Sequence, residues 1–90
     1  MLVFPRTGYD FGFGLAPPHG VLALAAYLRQ HAVPIRVVVI DQRVEPRWEA
    51  LLRRELEARP LLVGVSTMTG VQLRHALSVA RLVRAASPET

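Results

Sequence analysis

The chain has 90 residues, 51% of them hydrophobic, with no cysteine and a formal net charge of +4 carried by eleven arginines and no lysine. One domain is expected, and disorder is excluded by the apolar share and a mean hydropathy of +0.27. Without cysteine there is no disulfide, no thiolate metal site, no cysteine nucleophile and no iron–sulfur cluster ligated by this chain.

The longest apolar run, Val21–Leu28, is far short of the roughly twenty residues that cross a bilayer, so no membrane span is expected. Pro5 and Arg6 interrupt the N-terminus too early for a secretory signal, and a cytoplasmic protein is expected. The basic balance raises nucleic acid as a partner. However, the arginines are spread over several elements and no aromatic residues interleave with them as stacking platforms. Nucleic-acid binding is therefore not expected.

Leu2–Phe4 reads as a first strand, stopped by Pro5, which has no N–H to donate. Arg6–Pro17 is a long loop with Gly8, Gly12 and Gly14 beside Tyr9, Phe11 and Phe13. Its aromatic residues either line a pocket or tuck beneath the loop. Pro17-Pro18 introduces a helix to about His31. That helix is apolar nearly all round, which predicts burial on more than one side. Ile35–Ile40 is a second strand of strong β propensity, with Asp41 at its carboxyl end.

Pro46 opens a second helix whose buried stripe is Trp48, Leu51, Leu52 and Leu56, and Pro60 ends it. Leu61–Val65 is the third strand, read as buried and parallel. Thr69 with Gln72 three residues on predicts a capping box. In the third helix Leu73, Ala76, Leu77, Ala80 and Val83 are expected to face the core, and Ser87-Pro88 to end it.

Strand and helix alternate three times, which calls for a parallel sheet with helices on its faces and right-handed crossovers. The expected order is two, one, three, as in the first half of a flavodoxin-like (Rossmann-like) fold. Residues 1–90 form a single domain with no repeat or linker. Ligands of such sheets sit outside the carboxyl ends of the strands. Ser66–Gly70, at the end of the third strand, is thus the first place to look for function. Its hydroxyls and the N–H groups of the following helix either grip a polar or anionic ligand group or merely cap the helix.

Other chemistries fit less well. Gly12-Phe13-Gly14-Leu15-Ala16-Pro17 imitates a dinucleotide fingerprint, but Pro17 stands at the third glycine position and the glycines lie well beyond the strand. A small nucleotide-binding protein is the weakest of three readings. Asp41 is read as a turn residue accepting local backbone N–H bonds. His19, His31 and His75 share no metal-ligand spacing, and only His19, at a helix entrance, is a candidate ligand. Ser66 has no positioned base, so no catalytic residue and no metal site are identified.

Several stretches, taken together and in order, resemble the N-terminal cobalamin-binding domain of radical S-adenosylmethionine proteins. They are Ala16-Pro-Pro-His-Gly-Val-Leu-Ala-Leu-Ala-Ala-Tyr-Leu-Arg, the strand ending in Asp41, Val63-Gly-Val-Ser-Thr-Met-Thr-Gly and Arg74-His-Ala-Leu. The resemblance implies a flavodoxin-like domain that holds cobalamin at the carboxyl edge of its sheet. The cofactor's dimethylbenzimidazole tail would enter beside the first and third strands.

Ser66 matches the family's serine near that tail, and Met68 its hydrophobic position two residues later. With Thr67 and Thr69, and with Thr7 and Gly8 in the loop after the first strand, they form the implied cofactor-binding set. The Asp-x-His-x-x-Gly loop of other cobalamin proteins is absent, so no protein histidine is expected on cobalt.

The five-stranded family domain continues through about two further strand–helix units. The chain is therefore expected to be a fragment or one part of a split protein, non-catalytic by itself. Its expected partner is a radical S-adenosylmethionine domain in the same or a separate chain. The alternative is a structural or oligomerisation module of the same fold that has lost the cofactor. With order two, one, three the third strand is an edge, and self-association through it is expected.

Overall fold

A computed structural model describes residues 1–8, 16–31 and 34–90. The sheet is built on Leu2–Phe4 (β1), which pairs in parallel on both sides. Val39–Asp41 (β2) lies on one side, with Leu2 opposite Val39 and Phe4 opposite Asp41. Gly64–Val65 (β3) lies on the other, with Leu2 opposite Gly64 and Val3 opposite Val65. The order is β2-β1-β3, as expected from the strand–helix alternation. His19–His31 (α1), Trp48–Glu57 (α2) and Val71–Ala86 (α3) complete three strand–helix units.

The helices cover the sheet from both faces, and side-chain alternation along the strands decides which residue goes where. Leu2, Phe4, Val37 and Val39 pack with Val21, Ala25 and Leu28 of α1. Val3, Val38, Ile40, Val63 and Val65 turn the other way, onto Leu52 and Leu56 of α2 and Val79 and Val83 of α3. Val3, Leu52 and Val79 are fully buried at the centre of this larger core.

Two strands are shorter than the sequence predicts. Ile35–Ile40 was expected as β2, yet the ladder covers Val39–Asp41. Leu61–Val65 was expected as β3, yet only Gly64–Val65 pair. The residues lost lie on the amino-terminal side: β1 begins to pair at Leu2, opposite Val39 and Gly64, so the residues before those two positions have no β1 partner. Leu61 and Leu62 lie outside the ladder and are 91% and 63% exposed, not buried.

Two helix faces also differ. In α1 only Val21 and Ala25 are buried, while Leu22, Leu24 and Tyr27 are exposed; one helix covers this face of the sheet and no described element lies above it. In α3 the buried stripe is Gln72, Ala76, Val79 and Val83. Leu73, Leu77 and Ala80 face outward.

The predicted α2 stripe does hold, with Leu52 and Leu56 buried and Trp48 and Leu51 packed against them. Buried Glu55 on the same helix meets Arg36 and Arg54. Burial pushes its carboxyl up, but the two arginine hydrogen bonds outweigh this and hold it below its ordinary value. Among the described residues, every buried side-chain polar atom has a hydrogen-bond partner. No helix among them is long and apolar enough to cross a membrane.

Candidate functional site at the carboxyl edge of the sheet

Three loops meet where the strands end. The loop after β1 leaves through Pro5, Arg6, Thr7 and Gly8. Gly8 has φ +87°, and a Cβ there would stand 3.0 Å from Cβ and Cγ1 of Val71, so this loop lies directly on the start of α3. Only glycine serves both demands at once. The glycine and aromatic positions that follow, Tyr9, Asp10, Phe11, Gly12, Phe13 and Gly14, lie outside the described residues. So does the resemblance of Gly12–Pro17 to a dinucleotide fingerprint, apart from its last two positions.

The loop after β2 is built on Asp41 and Gln42. The Asp41 carboxylate accepts the Arg43 backbone N–H at 3.0 Å, the turn role expected of it. It also accepts Nε and Nη2 of the Arg43 guanidinium, at 3.0 and 2.8 Å. That guanidinium lies 4.4 Å over the Phe4 ring and donates to the Ala16 carbonyl at 2.9 Å. Asp41 is thus committed to internal structure.

The loop after β3 begins at Ser66, whose N–H donates to the Val3 carbonyl at 2.9 Å. The expected capping box is not formed. The N-cap of α3 is Gly70, at φ +100°, and no side chain caps the helix. The Gln72 amide does reach back, but past Thr69. Its Oε1 accepts the Met68 N–H at 2.9 Å, while its Nε2 donates to the Pro5 carbonyl at 3.1 Å. With a glycine at the cap in a left-handed conformation, Thr69 is displaced outward and exposed.

A cleft of about 290 Å³ runs between α1 and the β3 side of the sheet, lined by Leu2, Gly20, Val21, Leu24, Gly64, Val65 and Ser66. Its walls are apolar. Among the described residues nothing lies within 4 Å of where a Gly20 Cβ would stand, so none of them closes this wall. At Gly64 a Cβ would meet Leu2 Cδ2 at 3.0 Å. Among the described residues that line it, Ser66, at the strand's carboxyl end, is the one hydroxyl and none is titratable. Such a slot suits a flat heteroaromatic ring with a polar tail. A larger groove of about 400 Å³ beside α2 is lined by Glu45, Arg47, Ala50, Leu51 and Arg54 and shares no residue with this edge cluster.

Of the six residues singled out in the sequence, Ser66 lines the cleft. Thr7 and Gly8 reach the same edge on the adjoining loop, and Thr67, Met68 and Thr69 form an exposed rim beside it. Gly20, Val21, Leu24 and Gly64 were not foreseen. Gly64 carried a signal, because a glycine inside a β-branched strand marks a close approach. His19 is exposed at the start of α1. Among the described residues, no group of three or more His, Asp or Glu is placed to hold a metal ion.

A family model described as the B12 binding domain matches residues 13–90. No curated protein and no solved structure matches the chain. The matched segment contains α1, β2, β3 and α3, hence all of the cleft except Leu2. A three-stranded parallel sheet of order 2-1-3 and an apolar slot at its ligand edge agree with that match, and the chain belongs to the B12 binding domain family, with cobalamin as its cofactor.

Proposed function

We propose that this domain takes the nucleotide tail of cobalamin into the cleft between α1 and β3, as the cofactor-binding part of a radical S-adenosylmethionine protein. One observation carries the reading: in a chain of this family, the cleft beside β1 and β3 is apolar, glycine-lined and closed by one hydroxyl. Leu2, Val21, Leu24 and Val65 would flank the ring, and Gly20 and Gly64 leave room for it. Ser66 would offer its hydroxyl to a ring nitrogen. Thr7, Gly8, Thr67, Met68 and Thr69 would border the entrance.

When bound, cobalamin supplies a cobalt centre able to carry a methyl group or generate a radical. The chain's own part is to bind and orient. Among the described residues no base lines the cleft beside Ser66, which supports a role in binding and not in turnover. The substrate-transforming partner would be the radical S-adenosylmethionine domain, in the same or a separate chain, and the absence of cysteine agrees with a cytoplasmic setting.

Titration with hydroxocobalamin, followed by visible absorption and calorimetry, tests this. Binding tighter than the high-micromolar range is expected. Gly20→Leu places a side chain in the cleft where no atom of the described residues opposes its Cβ, so the fold should survive and affinity should fall at least about tenfold. No binding by the wild-type chain would favour the alternative, a structural or oligomerisation module. Equal binding by Gly20→Leu would move the tail elsewhere.

A further inference from the structure

The peptide unit between Pro5 and Arg6 is held at both ends by glutamines from different loops. Its oxygen accepts Gln72 Nε2 at 3.1 Å, and its N–H donates to Gln42 Oε1 at 3.1 Å. Gln42 comes from the β2 side of β1 and Gln72 from the β3 side. Both are 2% exposed. Where proline ends the strand, two side-chain amides take the places that strand neighbours would have held. The Gln72 Oε1 in turn accepts the Met68 N–H at 2.9 Å.

The three bonds point the same way, from Met68 through Gln72 and the Pro5–Arg6 peptide to Gln42. Aligned amides polarise one another and strengthen the chain. Only an amide of this length supplies both an acceptor and a donor in the right places. Gln72 also stands on the buried stripe of α3 with Ala76, Val79 and Val83, where an apolar residue would otherwise be expected.

We infer that Gln72 is a positioning residue: its amide fastens the loop after β3 to the loop after β1, and through the Pro5–Arg6 peptide to Gln42, setting the spacing of the segments that border the cofactor cleft. The consequence for the ligand rests on the cobalamin reading above; the coupling itself does not.

The test uses the full chain as wild type, Gln72→Leu, Gln72→Met and Gln72→Glu, with amide hydrogen exchange read residue by residue and hydroxocobalamin affinity measured in parallel. Unchanged exchange at Val79 and Val83 identifies the variants that keep the fold. In Gln72→Leu and Gln72→Met, exchange should rise about tenfold or more at Met68 and also at Arg6, whose own acceptor is untouched. Gln72→Glu keeps the acceptor and loses the donor, so Met68 should stay protected while Arg6 does not.

Affinity should fall about tenfold in all three. Arg6 protection unchanged in a folded Gln72→Leu would overturn the coupling. If the wild type binds hydroxocobalamin and that variant binds it equally well, the positioning role is overturned and the cofactor reading stands. Failure of the wild type to bind overturns the cofactor reading, and the exchange at Arg6 still decides the coupling.

Discussion

At Asp41 the turn needs an acceptor, and its carboxylate also holds Arg43 between the sheet edge and the Phe4 ring. Side chains of the pair are 12% and 8% exposed, so removing one partner strands a nearly buried charge. Asp41→Ala should cost about 3 kcal/mol, read from urea unfolding, and Asp41→Asn less, because it still accepts the backbone N–H. The local role of Asp41 was legible, since aspartate after a strand is a turn signal. Its second role was not, because what places Arg43 beside it is the Phe4 ring and the Ala16 carbonyl, the latter twenty-seven positions from Arg43. Gln72 was singled out for the right habit and the wrong partner. The spacing from Thr69 suggested an amide reaching back, but it could not show that Gly70 takes the cap or that Pro5, sixty-seven positions away, supplies the other bond. The place of Ser66 at the strand's carboxyl end, beside the cleft, was legible from the end of the apolar run.

All six elements were legible from apolar runs and proline punctuation, and so was the strand order. What resisted was extent and facing. Strand length depends on the partner, and β1 begins to pair only at Leu2, opposite Val39 and Gly64. In α3 Ala76 and Val83 are buried as expected, but the larger apolar residues Leu73 and Leu77 drew the expected face toward themselves, while the stripe turns to Gln72 and Val79 on its other side. The shift is measurable. Val79→Ala should destabilise by about 2 kcal/mol, since Val79 is fully buried. Leu77→Ser, at 48% exposure, should stay within about 0.5 kcal/mol in thermal or urea unfolding of the monomer. The reverse order would restore the face first expected.

On the scale of the whole molecule, the β3 side is the unfinished one. Gly64 and Ser66 turn their N–H groups to β1, so Val63 and Val65 present theirs, with their carbonyls, outward. This edge is self-complementary: a two-fold axis at Gly64 brings Val63 of one copy opposite Val65 of the other, with both donors and both acceptors matched. Leu61 and Leu62, and Leu73 and Leu77 on α3, are 46–91% exposed, and a groove of about 210 Å³ lined by Leu62, Val63, Ala80 and Arg84 lies beside the strand. We propose that a second copy of the chain covers this edge. Burying four leucines gains several kcal/mol at about 1.5–3 each, against an association cost of about 4–15. The dimer should therefore be populated only at high concentration. Light scattering at about 100 micromolar should give a mass above the 10.0 kDa of one chain, and Leu62→Lys should return it to that value. A wild-type mass of 10.0 kDa would reject the dimer. The position of β1 has a different consequence, in time. It is the first of the three strands in sequence yet lies in the middle of the sheet, and Met1, just before it, meets Leu62, sixty-one positions on. No strand pair here is local, so long loops must close before any ladder bond is gained. Helices α1 and α2 can form as soon as they are synthesised, while the opening strand waits for β3. Of the three strands, the one made first must wait for the one made last before both its sides are paired.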